Sequence, residues 1–292
     1  MPPKSGIVWI ASYPKSGNTW IRAFLHNLTR IMNGEPGEQD INEMARFSTW
    51  ELDKQRYADF LGFEPDNTIH RDEIAATRHA VHRQIADAAT GLVFIKTHNG
   101  LVVDRGHPTI NFAVTSGAIY VVRNPLDVAI SYAHHAGTTV DQAIDHMAQG
   151  DAETAGKERA VYEVLGSWSQ HVWSWTRTPN PAIHLMRYED MLGDPERAFG
   201  SLARHLLLKP TDRQLADAIE LSSFERLKAQ EQQKGFRERP PQADQDFFRE
   251  GRAGQWRDVL TPAQIEQLVR DHGEQMRRFG YLSEDIQAAP AA

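Results

Sequence analysis

Four short apolar runs, each ending in a basic or hydroxyl-bearing turn, constrain this chain more than any other feature. Ile7-Val8-Trp9-Ile10 leads into Tyr13-Pro14-Lys15-Ser16-Gly17-Asn18, and Leu92-Val93-Phe94-Ile95 leads into Lys96-Thr97-His98-Asn99-Gly100. Ala118-Ile119-Tyr120-Val121-Val122 runs into Arg123-Asn124-Pro125, and Ala182-Ile183-His184-Leu185-Met186 into Arg187-Tyr188-Glu189-Asp190. After the first turn, Trp20, Ile21, Phe24, Leu25 and Leu28 recur at the i, i+3/i+4 spacing of a helix with one buried face. A second helical pattern passes through Val128, Ile130 and Tyr132. Continuous apolar strands alternating with helices predict an α/β fold, a single domain with a central parallel sheet flanked by helices. Ligands of such sheets sit beyond the carboxyl ends of the strands, where all four turns fall.

Bulk properties narrow the function classes. The 292 residues suit one large α/β domain, expected over 1–287 with a frayed tail at 288–292. The stretch 34–90 reads as a helical insertion, and 230–246, with Gly235 and the pair Pro240-Pro241, as a loop. A net charge of −7 gives no basic footprint for nucleic acid. The absence of cysteine excludes disulfides and thiolate metal sites and fits a reducing, cytoplasmic compartment. The apolar run Ile7 to Ala11 is too short for a signal peptide or a transmembrane segment. The 13 histidines show no His-x-x-x-His with a supporting Glu, so no metal site is expected. His134 and His135 are adjacent, so on a helix their side chains diverge.

Tyr13 to Trp20 lies between a strand and a helix, where free N–H groups and a partial positive charge bind anions. Gly17 lets backbone approach closely, Ser16 and Thr19 can donate hydroxyls, and Lys15 adds a point charge. The Walker pattern is absent, and a solvated turn capped by Ser16 is the plainer alternative. Tyr-Pro-Lys-Ser-Gly-Asn-Thr-Trp closely resembles the 5′-phosphosulfate loop of cytosolic-type sulfotransferases, usually Tyr-Pro-Lys-Ser-Gly-Thr-Thr-Trp, with Asn18 in place of Thr. That resemblance implies 3′-phosphoadenosine 5′-phosphosulfate (PAPS) as co-substrate. It implies that Lys15 contacts the bridging oxygen, that Ser16, Gly17, Asn18 and Thr19 hold the 5′-phosphate, and that Trp20 packs near the adenine.

Tyr120 to Tyr132 resembles the family's 3′-phosphate segment, with Arg123 and Ser131 at its two ligand positions. Arg123 leaves a strand end, where a guanidinium can grip phosphate in a bidentate way. The plainer alternatives are an i, i+4 ion pair of Arg123 with Asp127 and a surface role for Ser131. Phe248 to Arg257 is similar to the family's Arg-Lys-Gly-x-x-Gly-Asp-Trp-Lys block, so Arg249 and Gly251 match 3′-phosphate contacts. Glu250 stands there for Lys and Gln255 for Asp. Tyr188, Ser222 and Phe224 match adenine contacts, with core packing as the alternative for the two rings.

Lys96-Thr97-His98 resembles the family's Lys-Thr-His. His98 is then the general base, since a neutral imidazole with an unperturbed pKa of about 6.5 suits proton removal near neutral pH. Lys96 and Lys15 would neutralise developing charge in an in-line displacement at sulfur that needs no metal. The implied partner is a small-molecule acceptor with a hydroxyl or amine, its pocket shaped by 34–90 and 230–246. The family's dimer segment, Lys-x-x-x-Thr-Val-x-x-x-Glu, corresponds to Arg257, Thr261, Pro262 and Glu266, with Pro262 in place of Val, a departure that weighs against family-like dimerisation and leaves a homodimer as an open assembly. The competing readings are a P-loop-type nucleotide kinase or NTPase, which would need a carboxylate for Mg²⁺, and a non-catalytic module that binds a 3′,5′-nucleotide.

Overall fold

The computed structural model describes residues 6–35, 37–156, 158–239 and 246–282. Strand β1 (Gly6–Ser12) enters helix α1 (Asn18–Met32), followed by α2 (Met44–Phe47), β2 (Ser48–Thr49), α3 (Lys54–Leu61), α4 (Arg71–Ala88) and β3 (Leu92–Thr97). The hairpin β4 (Val103–Asp104) and β5 (His107–Pro108) precedes β6 (Thr115–Val122), α5 (Pro125–Ala136), α6 (Val140–Ala148), α7 (Trp168–Thr176) and β7 (Ile183–Arg187). The remainder is helical: α8 (Tyr188–Gly193), α9 (Pro195–His205), α10 (Asp212–Leu221), α11 (Phe224–Lys234), α12 (Trp256–Val259) and α13 (Pro262–Arg278).

The main sheet has five strands in the order β2-β3-β1-β6-β7. β1 and β3 pair in parallel from Gly6↔Leu92 to Ala11↔Thr97, and β2 pairs in parallel with β3. All seven residues of β1 are buried, as are the last six of β6. That pattern explains their uninterrupted apolar sequence, because a strand inside a parallel sheet has no solvent face. β7 departs from the expectation of strands covered on both faces. It lies at the sheet edge, and Leu185 is 44% exposed. β3 begins exposed because β2 covers only its positions 94 and 95.

The chain forms two compact units, each discontinuous in sequence. Of the described residues, the first takes those within 6–13, 48–120 and 149–185, which hold most of the sheet with α3, α4 and α7. The second takes those within 14–47, 121–148 and 186–282, the last residues of β6 and β7 included, and is otherwise helical, with α1 against α10 and α5 against α6 and α13. Within 34–90 the structure has α2, α3 and α4, and also β2, whose two residues carry no strand signal in the sequence. Of the stretch expected as a loop, 230–234 is the last turn of α11. Residues 240–245, including Pro240 and Pro241, and the tail 288–292 lie outside the described residues. α13 starts on a capping box between Thr261 and Gln264 with Pro262 in its first turn, where the missing N–H removes no hydrogen bond. Among the described residues no helix is long and apolar enough to cross a membrane.

Candidate active site

The loop after β1 holds the features of an anion seat. Helix α1 follows Gly17 as its N-cap, which has no side chain to cap the helix, and an uncapped helix start is a place where anions bind. Gly17 has φ 112°, and a Cβ there would come within 2.9 Å of the Tyr188 ring, so this position needs glycine twice over. Lys15 takes φ 66°, a left-handed conformation that costs a non-glycine residue about 1–3 kcal/mol. Strain of that kind persists where surroundings enforce it, and here the Lys15 carbonyl accepts from Arg123 Nη1 at 3.0 Å. Its ammonium lies 3.9 Å from the centre of the Phe247 ring, a cation–π contact. Ser16 is fully buried, and its Oγ has no hydrogen-bond partner among the described residues. Thr19 is half-buried on the first turn of α1.

Arg123 joins this loop to the block near the C-terminus. Asn124 caps α5 by accepting from the Leu126 N–H at 3.0 Å, with Pro125 in the first turn, so Arg123 sits just ahead of a well-defined helix start. Its Nη2 donates to the Arg252 carbonyl at 3.2 Å, and its guanidinium carbon lies 4.3 Å from the centre of the Tyr188 ring. Its Nε is buried without a hydrogen-bond partner among the described residues. Burial pushes the Tyr188 phenol up, and the guanidinium beside it pulls the other way. The i, i+4 alternative for Arg123 gives way to a different role for Asp127. That carboxylate is fully buried and accepts from the Gly254 N–H at 2.7 Å and the Trp256 N–H at 3.1 Å. Asp127→Ala leaves two inward-facing N–H groups unmet. A drop in unfolding free energy of about 2–4 kcal/mol is expected, read from the urea midpoint, and an unchanged midpoint would contradict the anchoring role.

Some of the other donor-site candidates pack on one another. Gly251 has φ 64°, and a Cβ there would stand 2.2 Å from the Phe224 ring, so the backbone closes directly onto that aromatic. Phe224 and Trp20 pack on a cluster of Ala23, Ile41, Met44, Leu227, Phe236 and Phe248. Trp20 also meets Tyr188 edge-on at 5.7 Å, and its Nε1 is a buried donor without a hydrogen-bond partner among the described residues. Arg249 donates to Glu250 at 3.2 Å and to Gln255 Oε1, while Glu250 also pairs with Arg252 at 3.3 Å. The two departures from the family block therefore both engage the arginine they flank. The Ser222 hydroxyl donates to the Ala218 carbonyl at 2.6 Å and closes the end of α10. Ser131 is half-buried on α5, two turns beyond Arg123. Ser16 Oγ, Trp20 Nε1 and Arg123 Nε are thus buried without hydrogen-bond partners among the described residues, which fits a polar, anionic ligand.

The histidine candidate belongs to the first unit. Lys96, half-buried, is the penultimate residue of β3 and pairs in register with Ile10. His98 follows the strand, and its Nδ1 lies 2.7 Å from the Ser12 carbonyl oxygen. A carbonyl can only accept, so Nδ1 carries the hydrogen, and in the neutral ring Nε2 carries the lone pair. Ser12 Oγ stands 3.4 Å from the same nitrogen. The His98 N–H donates to the Glu163 carboxylate at 2.6 Å, and the His98 carbonyl accepts from His171 Nε2 at 3.0 Å. Glu163, His171 and the Phe247 contact with Lys15 were not legible in the sequence, because each depends on pairing across 65 or more residues.

A profile of the sulfotransferase domain matches residues 6–280. Flavonol 3-sulfotransferase of Flaveria bidentis is 25% identical over 94% of this chain and 83% of its own. Cytosolic sulfotransferase 17 of Arabidopsis thaliana is 25% identical over 94% of this chain and 75% of its own. Among solved structures, retinol dehydratase in complex with androsterone and inactive cofactor PAP superposes with a TM-score of 0.65 at 21% identity, covering 96% of this chain and 83% of that one. With the match running from the first residue of β1 to beyond α13, the chain belongs to the sulfotransferase domain family.

Proposed function

We propose that this protein transfers a sulfuryl group from PAPS to a hydroxyl or amine of a small-molecule acceptor. The observation that carries the reading is the Arg123 guanidinium, bonded to the carbonyls of Lys15 and Arg252 with its Nε left for a ligand. It puts a fixed positive charge between the phosphate loop and the 249–256 block. In this reading Ser16, Gly17, Asn18 and Thr19 hold the 5′-phosphate. Arg123, Ser131, Arg249 and Gly251 hold the 3′-phosphate, and Trp20, Tyr188, Ser222 and Phe224 surround the adenine. His98 Nε2 takes the acceptor proton as the new oxygen–sulfur or nitrogen–sulfur bond forms and the sulfur–oxygen bond to the 5′-phosphate breaks. Lys15 and Lys96 stabilise charge on the leaving phosphate and the sulfuryl oxygens. Adenosine 3′,5′-bisphosphate and the sulfated acceptor are the products. The cytosolic names of the plant relatives support a cytoplasmic setting.

The test is a screen with sulfur-labelled PAPS against phenols, alcohols, sugars and amines, with a parallel arm of ATP and Mg²⁺. Acceptor-dependent label transfer together with tight binding of adenosine 3′,5′-bisphosphate is expected. Failure of that nucleotide to bind, or phosphoryl transfer from ATP to the same acceptors, would overturn the reading.

A further inference from the structure

The segment after β3 is gripped by one face of α7. His171 Nε2 donates to the His98 carbonyl at 3.0 Å, and Trp175 Nε1 donates to the Asn99 carbonyl at 3.0 Å. Ser174 Oγ accepts from the Leu101 N–H at 2.9 Å. Positions 171, 174 and 175 stand at i, i+3 and i+4, so they share a helix face. The start of α7 is pinned by a capping box between Ser167 and Gln170, which sets how that face is presented. A second strip of chain binds the segment as well. The Glu163 carboxylate accepts from the His98 N–H at 2.6 Å, Asn99 Oδ1 accepts from the Val164 N–H at 2.8 Å, and the Gly100 N–H donates to the Val164 carbonyl at 2.7 Å. The backbone N–H and C=O of His98 are therefore both held, and its ring is steered by the Nδ1 bond to the Ser12 carbonyl.

The proton on His171 is assigned by its neighbours. Its Nε2 faces a carbonyl, so Nε2 carries the hydrogen and Nδ1 accepts from the Tyr120 hydroxyl at 2.9 Å. Both side chains are fully buried. Burial pushes His171 down to about 4 and Tyr120 well above its ordinary range, so both groups stay neutral around pH 7. The opposite tautomer would set a nitrogen lone pair against the His98 oxygen. We propose that His171, with its tautomer set by the His98 carbonyl and its Nδ1 held by the Tyr120 hydroxyl, is a positioning residue for His98. It fixes the His98 peptide so that Nδ1–H stays on Ser12 and the Nε2 lone pair keeps one bearing. The proposal rests on the reading of His98 as the general base, for which an error of a fraction of an ångström in aim is costly.

Three variants of the full chain test it: His171→Phe, Tyr120→Phe and His171→Gln, whose amide can still donate to a carbonyl. The readouts are kcat with PAPS, Kd for adenosine 3′,5′-bisphosphate, and the imidazole ¹⁵N shifts of His98, assigned by comparison with His98→Ala. In His171→Phe, kcat is expected to fall about 10-fold or more while Kd stays within about twofold. The His98 shifts should move from a pure Nδ1–H form toward a tautomer average. Tyr120→Phe should show the same signature with a smaller fall in kcat, and His171→Gln should recover part of it. If His171→Phe does not fold, Tyr120→Phe carries the test, since it removes only a hydroxyl. Wild-type kcat in a folded variant would overturn the proposal, and so would a loss of kcat with the His98 shifts unchanged. Should His98→Ala itself retain turnover, the base reading falls, while the shifts still report whether His171 sets the His98 ring.

Discussion

Replacing His98 by Ala is expected to lower kcat by roughly 10²–10⁴-fold, the range of a lost general base. The Kd for adenosine 3′,5′-bisphosphate should stay within about twofold, because a base acts on the transition state and not on the bound nucleotide. The structure makes this a clean substitution. The main-chain bonds that organise the turn run from the His98 N–H to Glu163 and from His171 to the His98 carbonyl, and an alanine keeps both. The substitution removes the ring and its Nδ1 bond to the Ser12 carbonyl, so fold and nucleotide affinity serve as controls for the chemistry. Rates measured with a saturating acceptor decide the matter. A kcat within about threefold of wild type would remove His98 from the proton transfer.

What the sequence discloses and what it hides follow from the range of the interactions. β1 and the end of β6 are legible because complete burial demands an apolar run without alternation. The start of α1 is legible because Gly17 and the hydroxyls around it recur as a motif. β2 is not legible: two residues, Ser48 and Thr49, become a strand only because β3 offers a free edge. Asp127 showed the same limit. Its spacing from Arg123 suggests an i, i+4 pair, yet its carboxylate goes to Gly254 and Trp256, 127 and 129 residues further along the chain. Local spacing counts the neighbours on a helix face and cannot weigh them against two buried N–H groups that need acceptors. The Glu163–His98–His171 bonds were out of reach for the same reason. The Lys-Thr-His motif marks the residue proposed as base, but nothing in its vicinity marks what would aim it.

Arg123→Ala is expected to raise the Kd for adenosine 3′,5′-bisphosphate by about 10²-fold or more, given about 1.5–3 kcal/mol for each charge-assisted hydrogen bond lost. For adenosine 5′-phosphate the rise should be about 10-fold or less. The difference between the two nucleotides is the informative quantity, because Arg123 has two roles that a single affinity would merge. One is to tie the Lys15 carbonyl to the Arg252 carbonyl, at 3.0 and 3.2 Å. Losing that tie releases the strained Lys15 turn and should weaken any nucleotide that uses the 5′-phosphate seat. The other is the proposed one, to present charge to the 3′-phosphate, which adenosine 5′-phosphate lacks. Arg123→Lys separates the roles further, since an ammonium keeps the charge but cannot reproduce a planar fork between two carbonyls. It should recover part of the 3′-phosphate discrimination and little of the general loss. An equal loss for both nucleotides in Arg123→Ala would leave Arg123 as a staple alone. The 3′-phosphate seat would then have to be sought at Arg249, whose guanidinium already engages Glu250 and Gln255.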